Sequence, residues 1–284
     1  MPSSDPIGEL ADATTSAGDG FARRELFGFD FVDLESIEPI VAMLLDATPG
    51  DVHRSPVIVT PNTDVLLQLL KTTDTALVDF ARGAWCILPD GQPILWAARI
   101  LGSPLRARLT GSDLFATVFP TAAARSIPTF VLASSAEIAE GLRTRHPALS
   151  VLTAPMLEGD DDLDSMAARC AEAIEARGAR LAFLCLGHPK DSKLAMRILG
   201  ILDEHRVPLP FTLCVGASAE MHLGIRKRAP KWVQRVYAEW FYRFLQEPRR
   251  LFHRYFVRDT AFVAVVVREF RARRRAGRIG RSGS

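Results

Sequence analysis

Residues 180–187 read RLAFLCLG, and residues 190–205 read KDSKLAMRILGILDEH. The first stretch is almost wholly apolar and does not alternate, which is typical of a parallel strand buried on both faces, and the second is typical of a helix. The same unit recurs, with apolar runs at 56–60, 85–88, 127–133, 149–154 and 209–216 and helical stretches at 64–71, 134–146 and 162–178. Strands that alternate with helices predict an α/β fold with a Rossmann-like, doubly wound, mostly parallel sheet.

Composition divides the chain into four parts. Residues 1–22 are rich in Ser, Asp, Gly, Ala and Thr, and we expect them to form a disordered lead-in. Residues 23–225 hold the alternating pattern and form the α/β domain. We expect residues 226–267 to form a basic, amphipathic helical C-terminal appendage, and the Arg-rich residues 268–284 to form a disordered tail.

Charge is distributed very unevenly along the chain. Residues 226–284 carry 17 Lys+Arg and four acids, a net charge of +13, whereas the remainder carries 18 Lys+Arg and 29 Asp+Glu, a net charge of −11. A basic, aromatic-rich segment on an acidic body indicates a protein that meets an anionic surface, either a membrane or a nucleic acid.

The appendage contains apolar residues at helical spacing. They form one stripe along a helix that opens at Pro230: Trp232, Val233, Val236, Tyr237, Trp240, Phe241, Phe244 and Leu245. Such a stripe fits a helix packed on the body and equally a helix docked at a membrane interface.

Several protein classes do not fit the chain. The longest apolar candidate, residues 261–267, is far too short to span a bilayer, and the N-terminus has acids and no apolar core of a secretory signal. The cysteines are scattered, each in or beside an apolar run, which predicts buried free thiols: Cys86, Cys170, Cys185 and Cys214.

Polar residues and glycines follow four of the predicted strands. They are Thr60 to Asn62, Asp90 with Gly91, residues 187–190, and residues 216–220. Ligands of a doubly wound sheet bind beyond the carboxyl ends of its strands, so these residues are candidates for a binding site. Each also has a structural explanation, because Pro-Asp-Gly forms turns and Asn62 is a suitable helix cap.

Phosphate and metal motifs are sparse. Arg106 and Arg108 near Gly111 suit either a phosphate site or a surface turn. The glycine-rich dinucleotide fingerprint, the P-loop motif and H-E-x-x-H are all missing from the sequence. The acids at 160–162 and 164 fit a helix N-terminus better than a D-x-D metal motif, so we predict no metal and no cofactor.

Taken together, six stretches resemble the WecG/TagA/CpsF glycosyltransferase family. They are TPNTDVL (60–66), LPDGQPILWAARILG (88–102), RLTGSDL (108–114), LGHPKDSKLA (186–195), CVGASAEMHLGIRKRAPKW (214–232) and AEWFYRFLQEPRRLFHRY (238–255). They occur in the family's order and cover roughly residues 25–260.

The resemblance implies a bacterial enzyme of cell-surface polysaccharide synthesis. Such an enzyme transfers a hexose of N-acetylmannosamine, mannosaminuronate or glucose type from a UDP-sugar to a polyprenyl-diphosphate-linked acceptor, with inversion and without a metal. It also implies a cytoplasmic protein, peripheral on the inner face of the plasma membrane, whose basic appendage joins the active site and touches the anionic surface.

The resemblance also implies roles for particular residues. Asp90 of the P-D-G motif falls on the general base, and Thr60 and Asn62 fall on the catalytic T-x-N motif. Together with the strand-end residues, the motifs predict a substrate-binding set: Arg108, Thr110, Gly111, Asp113, Gly187, His188, Lys190, Asp191, Gly216, Glu220 and Arg228. The predicted membrane contacts are basic and tryptophan residues of the appendage: Lys227, Lys231, Trp232, Arg235, Trp240, Arg243, Arg249, Arg250 and Arg254.

Two departures from the family pattern affect the expected donor pocket. Residues 189–192 read P-K-D-S where the family has P-K-Q-E, so Asp191 and Ser192 replace its amide and acid, and Ala219 and Glu220 stand where it has Phe-Asp. They leave open a rival function, a non-catalytic sugar-nucleotide-binding partner in a polysaccharide assembly complex. A nucleic-acid binder is the other rival, but it lacks any recognisable motif, so we predict no nucleic-acid partner. A homo-oligomer is compatible with the sequence.

Overall fold

The architecture is taken from a computed structural model that describes residues 20–147, 149–225 and 259–279. Arg228 and all of the predicted membrane contacts lie outside the described residues. The helical stripe at 232–245 lies outside them too, so its two interpretations remain predictions.

An eight-stranded sheet in the order β1-β2-β4-β3-β8-β7-β5-β6 forms the centre of the fold. Its strands are β1 (Arg23–Leu26), β2 (Phe29–Val32), β3 (Ser55–Val59), β4 (Ala84–Ile87), β5 (Thr129–Ala133), β6 (Ser150–Thr153), β7 (Leu181–Cys185) and β8 (Phe211–Cys214). The hairpin β1–β2 is antiparallel, and every other pair is parallel. The predicted fold class is therefore confirmed.

The helices cover both faces of the sheet. They are α1 (Glu38–Asp46), α2 (Thr63–Lys71), α3 (Thr75–Arg82), α4 (Gln92–Ile100), α5 (Gly111–Ala124), α6 (Ala136–Arg145), α7 (Asp160–Arg177), α8 (Lys190–Glu204), α9 (Ser218–Leu223) and α10 (Asp259–Ile279). Buried residues of α2, α3, α4, α7, α8 and α10 belong to one apolar cluster, and those of α1, α5, α6 and α9 belong to the other. Strand β7 serves both, since Ala182 and Leu184 face the first cluster while Phe183 and Cys185 face the second.

The N-terminal hairpin extends the body further toward the N-terminus than the composition predicted. Phe21 is buried, and its ring stacks on Trp85 with the centroids 5.9 Å apart. The Ala22 carbonyl also accepts the Asp33 N–H at 2.8 Å. Phe21 and Ala22 therefore contact the body, although the composition places them in the lead-in.

Helix α10 contradicts the predicted disorder over residues 268–279 and runs across the predicted boundary at 267. It continues to Ile279, and Phe262, only 4% exposed, packs against Phe27 with ring centroids 5.7 Å apart. Arg273 binds Glu25 Oε2 at 3.0 Å and Glu269 Oε1 at 2.9 Å. The Arg-rich composition indicated a solvated chain, but one apolar face and the Arg273–Glu25 ion pair hold the helix on the hairpin.

All four cysteines are buried free thiols, as predicted, and burial raises the pKa of Cys185 and Cys214. Among the helices that the structure describes, none combines the length and the apolar character that crossing a bilayer requires.

Candidate active site

The loops that follow β4, β3, β8, β7 and β5 meet at one edge of the sheet, because these strands are parallel neighbours. At the end of β3, the Thr60 hydroxyl donates to the Cys214 carbonyl at the end of β8, at 3.3 Å. Asn62 Oδ1 accepts the backbone N–H groups of Asp64 and Val65 at 3.0 and 3.1 Å. Asn62 therefore caps α2, and only its side-chain amide N–H groups remain to meet a ligand.

Asp90 follows β4 and lies against the start of α5. Its Oδ2 accepts the Gly111 N–H at 3.4 Å, and its own N–H donates to the Pro61 carbonyl at 3.2 Å. The carboxylate is partly exposed. A half-buried carboxylate beside a helix N-terminus has an electrostatically complementary environment and still faces the edge of the sheet.

Glycine is required at the first position of α5. A Cβ on Gly111 would lie 2.9 Å from Thr60 Oγ1, closer than real contacts allow. The neighbouring Thr110 caps α5, since its Oγ1 accepts the Asp113 N–H at 3.0 Å and donates to Asp113 Oδ2 at 2.6 Å. Thr110 and Asp113 are thus engaged in building the helix start, while Gly111 brings that start against Thr60.

Arg108 lies on the segment that leads into α5 and is partly exposed. The same segment is joined to the Asp90 loop by a hydrogen bond from the Leu109 N–H to the Pro89 carbonyl, at 3.2 Å. The structure therefore brings the arginine of R-L-T-G-x-D-L to the same edge as Asp90.

Two glycines close the loops after β7 and β8. Gly187 has φ +92° and Gly216 has φ +55°, and a Cβ on Gly216 would lie 3.7 Å from the Gly187 Cα. This conformation favours glycine and lets the two backbones approach each other. Lys190, at the start of α8, is exposed beside them.

His188 is half-buried on the loop after β7. Burial lowers the pKa of its imidazole to about 4, an effect that the nearby Asp64 opposes and Lys193 reinforces. Its Nδ1 lies 3.3 Å from Ser192 Oγ. His188 is therefore a neutral side chain near pH 7, able to form hydrogen bonds but not to supply a positive charge.

Asp191 does not reach the ligand side of the edge. It is 3% exposed, and its Oδ1 accepts the Ser192 N–H at 2.7 Å. Burial raises the pKa of its carboxyl group to about 6, although hydrogen bonds from Ser192 act in the opposite direction. Packing in the first turn of α8 turns this side chain away from solvent, and the substrate-binding role of Asp191 stays a prediction.

Sequence reasoning missed two residues of this edge. Ser134, which follows β5, donates to Glu220 Oε1 at 3.2 Å and so adds a fifth strand end to the site. Asp33, directly after β2, is 2% exposed and accepts the Arg106 N–H at 2.9 Å. Neither residue belongs to a recognisable motif. Each does follow a predicted or short apolar strand, and that position alone could have indicated a place at this edge.

The acids at the start of α7 have a structural role. Asp160 and Asp164 pair with Arg197 at 2.7 and 2.5 Å, on the side of α7 that faces α8. Within the described residues, no three His, Cys, Asp or Glu side chains are grouped as a metal site would require.

Comparison with known proteins assigns this arrangement to a family. The sequence profile described as "Glycosyl transferase WecG/TagA/CpsF family" matches residues 24–276. The chain belongs to the WecG/TagA/CpsF family of glycosyl transferases. The profile covers the whole sheet, including the hairpin and most of α10.

Curated relatives in the WecG/TagA/CpsF family share about a quarter of their residues with this chain. A protein of Bacillus spizizenii (strain ATCC 23059 / NRRL B-14472 / W23) is 26% identical over 78% of this chain and 82% of its own length. A protein of Staphylococcus aureus (strain MRSA252) is 25% identical over 81% of this chain and 87% of its own length. Both are named N-acetylglucosaminyldiphosphoundecaprenol N-acetyl-beta-D-mannosaminyltransferase.

The edge brings together a carboxylate, two basic side chains and several helix N-termini. Asp90 supplies a carboxylate next to an open surface, and Arg108 and Lys190 supply positive charge. The N-termini of α2, α5 and α8 all begin at this edge, where their N–H groups favour anions. The arrangement suits deprotonation of an acceptor hydroxyl beside a bound diphosphate.

Proposed function

We propose that this protein is an inverting, metal-independent glycosyltransferase. It moves a hexose of N-acetylmannosamine, mannosaminuronate or glucose type from a UDP-sugar to a polyprenyl-diphosphate-linked acceptor in cell-surface polysaccharide synthesis. The observation that carries the proposal is the Asp90 carboxylate, which accepts the Gly111 N–H at the start of α5 on the edge that also holds Arg108. The names of the relatives, which specify a lipid-diphosphate-linked acceptor, support the same reaction.

In the proposed mechanism, Asp90 acts as the general base. It takes the proton of the acceptor hydroxyl as that oxygen attacks the anomeric carbon from the face opposite UDP, and the bond to the diphosphate breaks with its electron pair going to UDP. A positioned base contributes roughly 10²- to 10⁴-fold in rate. Thr60 and Asn62 lie at the same edge of the sheet, and the Asn62 amide is able to donate to a substrate oxygen.

Cationic side chains and helix N-termini stabilise the departing UDP in this proposal. Arg108 offers a bidentate guanidinium, and Lys190 offers a point charge at the start of α8. Gly187, Gly216, His188 and Glu220 border the same edge and define the pocket for the rest of the donor. The proposed independence of metal rests on these cations, which can balance the charge of the diphosphate.

The proposed location is the inner face of the plasma membrane, as a peripheral protein. A lipid-linked acceptor resides at an anionic leaflet, and residues 226–284 carry a net charge of +13. Each Lys or Arg near such a surface contributes about 1 kcal/mol. The basic segment is therefore sufficient to hold the acidic body at its substrate.

The test is UDP release from a panel of UDP-sugars, with and without a polyprenyl-diphosphate-linked N-acetylglucosamine acceptor and with excess chelator in a parallel series. We expect acceptor-dependent UDP release with one donor of the hexose class, unchanged by the chelator. No release with any donor, in the presence of acceptor, contradicts transferase activity. Loss of release in chelator that manganese or magnesium restores contradicts metal independence.

The alternative function is a non-catalytic sugar-nucleotide-binding partner in an assembly complex. It is favoured by Asp191, a buried acid in a motif where the family carries an amide. This alternative predicts that UDP-sugars bind, as seen by calorimetry, while neither transfer nor donor hydrolysis occurs.

A further inference from the structure

Asp33 connects the N-terminal hairpin to the segment that carries Arg108. It follows β2, which pairs in parallel with β4, so it lies at the same edge of the sheet as Asp90. The residue is 2% exposed. A carboxylate this deeply buried requires partners, and Asp33 has two arginines.

Arg106 is bound to Asp33 through both its backbone and its side chain. The Arg106 N–H donates to Asp33 Oδ1 at 2.9 Å, and Arg106 Nη2 donates to the Asp33 carbonyl at 2.6 Å. Arg106 Nε also lies 3.4 Å from Asp33 Oδ1. The other carboxylate oxygen, Oδ2, pairs with Arg24 Nε at 3.2 Å, within the hairpin itself.

The segment between α4 and α5 therefore has three attachments near the site. Arg106 is held by Asp33, the Leu109 N–H by the Pro89 carbonyl, and the Gly111 N–H by Asp90 Oδ2. Arg108 lies between the first two of these attachments. Residues 101–110 form neither helix nor strand, so side-chain contacts and loop hydrogen bonds determine where Arg108 lies.

The same contacts distinguish the two arginines of this segment. The positive charge of Arg106 faces the Asp33 carboxylate, whereas Arg108 belongs to the R-L-T-G-x-D-L stretch that leads directly into α5. Arg106 is therefore the member of the pair that anchors the segment, and the proposed function assigns the diphosphate to Arg108.

We propose that Asp33 is a positioning residue for donor binding, which holds the 103–110 segment so that Arg108 faces the diphosphate. This inference rests on the proposed function of the edge. It makes the hairpin part of the site, although Asp33 itself touches no substrate. Misplacing a binding group by about 1 Å costs on the order of 100-fold, so an anchor of this kind matters even at a distance.

The experiment compares Asp33→Asn and Asp33→Ala with a matched control, Asp30→Asn. Asp30 lies in β2, three residues before Asp33. Asp30 pairs with Arg54 Nη2 at 2.7 Å and makes no contact with the 103–110 segment that the structure describes. The Kd for UDP and the KM for the UDP-sugar are measured for each folded variant. A second control, Arg24→Gln, removes the hairpin partner of Asp33 and leaves the contacts to Arg106 in place.

We expect the Kd and KM to rise roughly 10- to 100-fold in Asp33→Ala, and less in Asp33→Asn, which keeps an acceptor for the Arg106 N–H. Both controls should stay within about threefold of the parent. The inference is overturned if the parent binds UDP and Asp33→Ala binds it equally well, or if Arg24→Gln weakens binding as much as Asp33→Ala does.

Limited trypsin digestion separates this inference from the proposed function, since it needs no activity. Arg106 and Arg108 are both trypsin sites on the segment. We expect cleavage there to be faster in Asp33→Ala than in Asp30→Asn under native conditions. Equal cleavage rates overturn the anchoring role even if the parent binds UDP, whereas a parent without UDP binding contradicts only the proposed function.

Discussion

Asp90 and Gly111 make the contact on which the proposed chemistry depends, at 3.4 Å. Asp90→Asn keeps an oxygen for the Gly111 N–H but removes the basic carboxylate. We expect transfer to fall by roughly 10²- to 10⁴-fold while UDP binding is retained and the free energy of unfolding changes by less than about 1 kcal/mol.

The control for this variant is Asp46→Asn. Asp46 is the last residue of α1, and its exposed carboxylate pairs with Arg125 at 2.6 Å. This control should transfer at the parental rate. If Asp90→Asn melts lower but turns over within about threefold of the parent, Asp90 is a turn residue and not the base.

Gly111 is where glycine matters most at the site. In Gly111→Ala, the new Cβ would meet Thr60 Oγ1 at 2.9 Å, so α5 or Thr60 must move. We expect a loss of about 1–3 kcal/mol of stability together with weaker UDP binding. Gly200→Ala is the matched control, because nothing lies within 4 Å of a Cβ at that exposed position in α8. Its stability should rise by about 0.5–1 kcal/mol. Equal effects at both glycines contradict the close approach.

Asp191 and His188 have pKa shifts that act on stability in opposite senses. The pKa of Asp191 is raised from 3.8 to about 6, so between those values the folded protein keeps a proton that the unfolded chain releases. Its contribution to stability therefore falls as pH rises. The pKa of His188 is lowered from 6.5 to about 4, so the unfolded chain holds the extra proton and the contribution rises with pH.

In the parent, the contributions of Asp191 and His188 to the free energy of unfolding should therefore oppose each other between about pH 4 and 6. Relative to the parent, Asp191→Asn should gain up to about 3 kcal/mol as pH rises from 4 to 6. His188→Gln should instead lose stability relative to the parent over the same range. Urea unfolding at successive pH values measures both. Parallel curves for the parent and the two variants would contradict the burial of these groups.

At the scale of elements, β3, β4, β5, β7 and β8 are predictable because a strand buried on both faces is largely apolar. The edge strand β6 is predictable only as part of the short apolar run 149–154. The hairpin β1–β2 is not, since its four-residue strands RREL and FDFV mix charged and apolar residues. The edge of the sheet that carries the site follows from the strand order of doubly wound folds. The strand order does not predict which polar side chains point outward at this edge. Asn62 caps α2 and Asp191 is buried, and both outcomes depend on tertiary packing.

Helix α10 belongs to the folded body, and this can be tested with two adjacent residues. Phe262 is buried against Phe27, whereas its neighbour Val263 is 61% exposed. Phe262→Ala should lower the free energy of unfolding by about 3–5 kcal/mol, and Val263→Ala should change it by less than about 0.5 kcal/mol. Denaturant unfolding provides both values. If the two variants are equally stable, α10 is not packed on the hairpin in solution.

At the scale of the whole molecule, an acidic body carries a strongly basic C-terminal part. A test of the proposed membrane contact must spare α10, because removing everything after 225 also removes Phe262 from the core. Replacing residues 226–258 with a Gly/Ser linker of equal length meets this condition. We expect the replaced protein to remain folded and to lose sedimentation with anionic liposomes.

The intact chain should bind the same liposomes and detach as salt rises, because exposed charges are screened. Neutral liposomes serve as the control for apolar adsorption. If the linker protein binds anionic liposomes as well as the intact chain does, residues 226–258 are not the attachment, and the arginines of α10 become the next candidates.

The packing of α10 has a further consequence for how the body would meet a surface. Before residues 226–258, Arg145 binds the carbonyls of His222 and Leu223 at the end of α9, and after them Phe262 fixes the chain to the body. A segment joined to the body at both ends explores a smaller volume than a free tail, which raises its effective concentration near the body. Two points of attachment also define an axis, so a body held through this segment cannot tumble freely. Covalent connectivity alone would then restrict how the body, and with it the edge that holds Asp90, is oriented relative to the lipid.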